Sequence, residues 1–159
     1  VGIKPDIKWV NDILVNEKKI SGILAETTET PNGLAVIVGI GVNIRSSNFP
    51  DEIADTATSI EVQSGQKPTA DELANTLTRF FSYFHEILSG DDGTKEILNE
   101  WRRRSTYFSG KSVRIALGNE TVIGTTDGLD ENGALRVRKS DGSVTIIQAG
   151  DVEQLRAIN

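Results

Sequence analysis

The chain contains no cysteine and a single histidine, His85. Without thiols, disulfides, thiolate metal sites and cysteine nucleophiles are excluded. One imidazole supplies no cluster of histidine ligands and leaves little room for a histidine-based triad. No apolar run approaches the roughly 20 residues that cross a bilayer as a helix, and no secretory signal pattern opens the chain. A basic excess is missing as well: 17 Lys and Arg face 23 Asp and Glu, a net charge of −6. That argues against a general polyanion-binding face, while leaving room for a local basic pocket. These absences lead to the expectation of a soluble, cytoplasmic protein with neither membrane nor nucleic acid as partner. What is present is ordinary globular material: 159 residues, 37% hydrophobic and 25% charged. That length suits one domain of usual size, or a truncated domain followed by a small one. No repeats or low-complexity segments occur. Val1 is not a methionine and a strand begins within a few residues, so the expectation is a fragment with sheet neighbours upstream.

The stretch Asp6 to Asn43 reads as an antiparallel meander. Ile7 to Trp9 and Ile13 to Val15 are short strands on either side of an Asn11-Asp12 turn, and Asn16-Glu17-Lys18 is a hairpin turn. In the next strand Ile20, Gly22, Leu24 and Glu26 share one face and Ser21, Ile23 and Ala25 the other. Thr30-Pro31-Asn32-Gly33 turns the chain again, and the unbroken apolar run Leu34 to Val38 predicts a central strand covered on both faces. Arg45 to Thr56, with Ser46-Ser47-Asn48 and Pro50, reads as an exposed loop beside the site, and Thr58 to Val62 as a short strand or turn. Thr69-Ala70-Asp71-Glu72 is a capping box that opens a helix with Leu73, Leu77, Phe80, Phe81, Phe84 and Leu88 at helical spacing, ended by Gly90. The aromatic stripe Phe80, Phe81, Phe84 is expected in the core; Trp9 reads as core or ligand-facing, with core favoured; and His85 is expected to be a packing or solvent residue. A second helix spans about Thr94 to Arg103; Arg102, Arg103 and Arg104 lie at its end, where cations suit the helix dipole. After Ser109-Gly110 the period changes to two. Turns at Gly118-Asn119, Glu131-Asn132-Gly133 and Asp141-Gly142, and a last strand Val152 to Arg156 after Gly150-Asp151, suggest a small SH3-like barrel of about five strands.

Three groups of residues in the first stretch carry candidate chemistry. Lys19, entering the apolar sheet before Ile20-Ser21-Gly22, places an ammonium where it can hold a carboxylate and then the growing charge of an acyl-phosphate transition state; it also reads as a hairpin lysine in solvent. Asn11 can offer an amide to a nucleobase or phosphate while Asp12 orders a lysine or a metal ion; both, with Lys8, also read as plain turn residues. Gly39-Ile40-Gly41-Val42-Asn43 lacks the third glycine and the capped helix of a dinucleotide fingerprint. Its two glycines bare one sheet face for a flat apolar ligand, with Asn43 able to pair with an adenine edge; a bulge or sheet crossing is the other reading.

Taken in order, these segments resemble the biotin–protein ligase family. Lys8-Trp9-Val10-Asn11-Asp12 is similar to its Lys-Trp-Pro-Asn-Asp motif, and Lys19-Ile20-Ser21-Gly22-Ile23-Leu24-Ala25-Glu26 to its Lys-Ile/Leu-Ala-Gly-Ile-Leu-Val-Glu strand. Gly39-Ile40-Gly41-Val42-Asn43 matches its Gly-Ile-Gly-Ile/Leu-Asn segment. Downstream, the two helices and the segments Gly128-Leu129-Asp130, Gly133-Ala134-Leu135 and Gly150-Asp151-Val152 resemble the family's C-terminal region. Each motif alone is weak; three in register with the right tail are specific. Two departures stand out. Val10 replaces the motif proline, and the family's Gly-Arg-Gly-Arg-x-Gly-Arg loop does not occur in the chain.

The resemblance implies an α+β fold: a partial mixed or antiparallel sheet with helices, the C-terminal portion of a class II synthetase-like catalytic domain over residues 1–108, followed by an SH3-like β-barrel over 109–159. It implies ATP-dependent activation of biotin to biotinyl-5′-AMP and transfer to a lysine of a biotin carboxyl carrier domain, with Mg2+ accompanying ATP. Lys19 is then catalytic and contacts biotin's carboxylate, Gly22, Gly39 and Gly41 line the biotin slot, and Asn11, Asn43 and Lys8 approach the adenylate. Asp12 is a candidate for ordering the metal's surroundings. A homodimer through sheet edges is a further expectation, and the chain by itself is expected to be inactive. A non-catalytic docking module and a lipoate ligase relative are the alternatives.

Overall fold

The computed structural model describes residues 2–45, 49–149 and 154–158. The chain divides into two compact units, Val1–Leu77 and Thr78–Asn159, the division falling inside one helix.

The first unit is built on a four-stranded sheet of β1 (Asp6–Lys8), β2 (Asp12–Val15), β3 (Lys18–Thr30) and β4 (Gly33–Val42), in that spatial order and antiparallel throughout. The β2–β3 turn places Asn16 and Glu17 at positive φ (52° and 61°), which two-residue hairpin turns require and asparagine tolerates. The β3–β4 ladder runs from Ser21↔Val42 to Thr30↔Gly33. It sets Gly22 opposite Gly41 and Leu24 opposite Gly39, so three glycines meet on one face. Leu14, Val15 and Ile20 are buried at the β2–β3 hairpin end of the sheet, where Val15 and Ile20 pack with Ile60, and Trp9 is buried in the β1–β2 turn.

Three expectations are corrected in and around this unit. β4 is an edge strand among the described residues, not a central one, and Leu34 (70%), Val36 (61%) and Ile37 (59%) are exposed. An unbroken apolar run marks a strand that can be covered on both faces; it does not itself supply the cover. Thr58 to Val62 is neither strand nor simple turn. It leads into a short helix α1 (Ile60–Ser64), because the Ser59 hydroxyl accepts from Val62 N–H and Gly65 ends the helix at φ 70°. Helix α2 (Ala70–Leu88) forms as expected, with the Thr69 hydroxyl accepting from Glu72 N–H while the Glu72 carboxylate accepts from Thr69 N–H. Its aromatic stripe is not core, however: Phe80 and Phe81 are more than half exposed and no α2 residue is buried. Helical periodicity fixes which side chains share a face, not what lies opposite. Trp9 is buried and His85 is exposed, both within their expected roles.

In the second unit α3 (Gly93–Arg104) carries Arg102, Arg103 and Arg104 in its last turn, as expected. Glu100 pairs with Arg103 and Arg104, and hydrogen bonding from Arg104 holds its carboxyl below the usual range. Strands β5 (Ser109–Leu117), β6 (Glu120–Leu129), β7 (Leu135–Arg138), β8 (Val144–Ile147) and β9 (Gln154–Ala157) form an antiparallel sheet in the order β8-β7-β6-β5-β9. Val113, Ile115, Leu135, Val137, Ile147 and Leu155 form its buried face. No ladder joins β8 to β9 among the described residues, so these residues form an open sheet and not a closed barrel. The expected Gly150-Asp151 turn, the first residues of the expected last strand, and Ser46-Ser47-Asn48 lie outside the described residues.

Candidate functional site

A shallow, open depression of about 500 Å³ lies on the first sheet, lined by Asn11, Lys19, Gly22, Ile23, Leu24, Gly39, Ile40 and Gly41. Five of the eight sequence candidates, Asn11, Lys19, Gly22, Gly39 and Gly41, are therefore brought together. Lys8, Asp12 and Asn43 are not among the lining residues.

Lys19 lies at the head of the depression. Its ammonium sits 2.5 Å from Asp12 Oδ1, while Lys8 reaches the other oxygen of the same carboxylate at 3.4 Å. Half of the Lys19 side chain remains exposed, against 17% for Asp12. A partly buried carboxylate thus pins one face of an ammonium whose other face is open to a ligand. Gly22 permits this. A Cβ there would lie 3.0 Å from Lys19 Cε and 3.1 Å from Nζ, so the lysine crosses the strand over a bare backbone.

Gly39 and Gly41 tell a different story. Neither has positive φ, and a Cβ on either would meet only a carbonyl oxygen at 3.9 Å, an ordinary contact. The fold among the described residues does not require glycine at these two positions. Their effect is to leave the floor of the depression flat, with Leu24 as the apolar side chain on the same face. Sequence reasoning did not assign Ile23, Leu24 or Ile40 to the site; their signal was adjacency to the glycines across the β3–β4 register.

Asn11 closes one side. Its side-chain amide donates to Ile23 C=O at 2.6 Å and its backbone C=O accepts from Ile23 N–H at 2.9 Å, which fixes the β1–β2 turn against β3. Asn43 is turned away from the depression: its Nδ2 donates to Thr58 C=O at 3.0 Å and to Lys19 C=O at 3.4 Å. With both donors directed at carbonyls, only its Oδ1 is left as an acceptor for a ligand. Asp12 does not suit a metal ligand, because both its oxygens face lysine ammonium groups. No cluster of three or more metal-ligating side chains occurs among the described residues. No helix among them is long and apolar enough to cross a membrane.

Residues 2–43 match the biotin/lipoate A/B protein ligase family, and residues 108–154 match the biotin protein ligase C terminal domain. The bifunctional ligase/repressor BirA of Bacillus spizizenii is 35% identical over 156 residues, covering 96% of this chain and 47% of that protein. The biotin–[acetyl-CoA-carboxylase] ligase of Mycobacterium tuberculosis is 30% identical over 94% of this chain and 53% of its own length. Among solved structures, the biotin protein ligase from Aquifex aeolicus in complex with biotin and ATP superposes with a TM-score of 0.80 at 26% identity, over 97% of this chain and 62% of that one. The chain belongs to the biotin protein ligase family. It spans about half the length of the curated relatives it matches.

Proposed function

We propose that this chain supplies the biotin-facing sheet and the C-terminal domain of a biotin–protein ligase. The observation that carries the reading is Lys19, pinned by Asp12 over Gly22 at the head of a flat, glycine-floored depression. In the first step an oxygen of biotin's carboxylate attacks the α-phosphorus of ATP. The bond from that phosphorus to the bridging oxygen breaks, giving biotinyl-5′-AMP and pyrophosphate. In the second step the amine of a lysine on a biotin carboxyl carrier domain attacks the acyl carbon, AMP leaves, and the nitrogen loses a proton.

Lys19 is the catalytic residue in this reading. Its ammonium offsets the repulsion between carboxylate and α-phosphate as they approach, then stabilises the charge on departing AMP, so it contributes most where charge develops. Gly22, Gly39 and Gly41 form the biotin slot. Asn11 stands at the edge of the depression toward the adenylate, and Asn43 offers Oδ1 to the base. Lys8 acts through Asp12, which orders both lysines. Mg2+ is expected on the phosphates of ATP; the described residues offer it no cage, and the Lys19–Asp12–Lys8 arrangement argues for Asp12 as a lysine-ordering group. We read the first sheet and its helices as class II synthetase-like, the C-terminal sheet as SH3-like, and the boundary between them at residues 108 and 109. The start of the C-terminal domain match at 108 supports that boundary. The unpaired β4 edge favours a homodimer through sheet edges, and the ligase works in the cytoplasm. The family matched over residues 2–43 includes lipoate ligases, and the C-terminal match favours biotin over lipoate.

The test is biotin-dependent pyrophosphate release from ATP by the natural full-length protein, run in parallel with lipoate. Release with biotin and not with lipoate is expected; the reverse preference, or release with neither, contradicts the assignment.

A further inference from the structure

The proposed role of Lys19 raises the question of what holds its strand in place, and the answer lies outside the depression. Lys19 is flanked on its backbone by residues 56–58. Its N–H donates to Thr56 C=O at 2.7 Å, and its C=O accepts from Thr58 N–H at 2.9 Å, forming a parallel bridge around Ala57. This is the one parallel contact on an otherwise antiparallel sheet among the described residues, and it joins segments nearly forty residues apart in sequence. A two-bond parallel bridge that does not extend into a ladder needs other anchors. Thr58 is 2% exposed, and its hydroxyl oxygen accepts from Gln63 Nε2 at 2.9 Å. Gln63 sits on α1, and its Oε1 accepts from Asn16 Nδ2 at 2.8 Å. Asn16 is the turn residue of the β2–β3 hairpin, three residues before Lys19. Gln63 therefore ties both ends of one short path, the hairpin turn that precedes Lys19 and the segment that bridges Lys19.

We propose that Gln63 is a positioning residue for Lys19, holding the hairpin turn and the Thr56–Thr58 segment in register so that the ammonium stays over Gly22. The proposal rests on the reading of Lys19 as the catalytic ammonium. Among the described residues the Gln63 side chain hydrogen-bonds no lining residue of the depression; its influence passes through Thr58 and Asn16. Sequence order gave no sign of this, because Asn16 lies 47 residues from Gln63.

The chemistry distinguishes three substitutions. Gln63→Leu keeps the size of the side chain and removes both hydrogen bonds, leaving the buried Thr58 hydroxyl without its donor. Gln63→Glu keeps both, because Asn16 can still donate to one carboxylate oxygen and the Thr58 hydroxyl can rotate to donate to the other. Asn16→Gly deletes one link and preserves the positive φ of the turn, so it perturbs folding least.

The experiment is a double-mutant cycle on biotin adenylation in the natural full-length protein, with kcat and the KM for biotin read separately. Gln63→Leu is expected to lower kcat about tenfold, Asn16→Gly about threefold, and Gln63→Glu less than twofold. In a Lys19→Ala background, Gln63→Leu and Asn16→Gly are expected to change the residual rate by less than twofold, because the group they position is gone. A merely structural role would lower rate by the same factor in both backgrounds, and that result overturns the proposal while leaving Lys19 intact as the catalytic group. Wild-type kcat in both Gln63→Leu and Asn16→Gly overturns it in the same way. If Lys19→Ala itself retains the wild-type rate, the catalytic reading of Lys19 and this inference fall together. Should Gln63→Leu not fold, the Asn16→Gly cycle decides alone by the same criterion.

Discussion

The two sheets of this chain use apolar residues in opposite ways. In the C-terminal sheet apolar and polar positions alternate. Val113, Ile115, Leu135 and Val137 have no exposed surface while Arg114, Arg138 and Arg156 face outward. In the first sheet β4 is apolar on consecutive positions, and Val36, Ile37 and Val38 remain exposed on both of its faces. Alternation specifies a sheet with one face in its own core, whereas a continuous apolar run makes surface available for something else to cover. On the first sheet one such region carries three glycines in register and an anchored lysine, the features on which the proposed biotin slot rests. The comparison separates a sheet that alternates around its own core from one that leaves apolar surface uncovered.

The comparison can be broken at several points, the strongest in the C-terminal sheet. Ile115→Ala removes a fully buried side chain and is expected to cost about 2–5 kcal/mol by urea unfolding; a change under about 1 kcal/mol would show that this sheet does not carry its own core. On the first sheet, Gly41→Val fills the floor of the depression, its Cβ meeting only the Gly22 carbonyl oxygen at an ordinary 3.9 Å. It is expected to weaken biotin binding about a hundredfold in calorimetry while shifting the unfolding midpoint little. Unchanged biotin affinity would remove the glycine floor from the account. Gly22→Ala is subtler: the added methyl meets Lys19 Cε at 3.0 Å, so the lysine must shift by a few tenths of an ångström, and a fall of about tenfold in adenylation rate is expected with biotin affinity less affected.

Smaller effects are expected where no core or ligand is involved. Glu72 accepts hydrogen bonds from the Thr69 backbone and hydroxyl, which hold its carboxyl below the usual glutamate range. A depressed folded value means the contribution is fully present above the unfolded glutamate pKa and is lost as pH falls through the folded one. Helix content followed by circular dichroism should therefore decline slightly on acidification through that window, and Thr69→Ala should flatten that decline. The smallest change is expected for Val36→Thr on the exposed edge strand, within about 0.5 kcal/mol of wild type; a cost several times larger would mean that β4 is covered after all.

Much of this was legible in the sequence for reasons that are local. The Thr69–Glu72 box, the Asn16-Glu17 and Pro31-Asn32 turns and the alternation after Ser109 each involve residues a few positions apart, where spacing reports geometry directly. The convergence of Asn11, Lys19, Gly22, Gly39 and Gly41 was legible because hairpin turns fix register, and register fixes which residues share a face. What was not legible depended on distant partners. The exposure of Phe80 and Phe81 depends on what lies opposite α2, and the edge position of β4 on which strands neighbour it. That the Asn43 amide is spent on the Thr58 carbonyl, leaving only Oδ1 for a ligand, could not be read from its position in the sequence. Asp12 reads as a metal candidate until two lysines occupy its oxygens.

The central claim is that the ammonium over Gly22 drives the first chemical step. Its most direct test is single-turnover formation of biotinyl-5′-AMP by the natural full-length protein and its Lys19→Ala variant at saturating biotin and ATP. The account predicts a rate lower by about 10²–10³-fold in the variant, the size expected when one preorganised charge-stabilising group is removed. A rate within about twofold of wild type would contradict it.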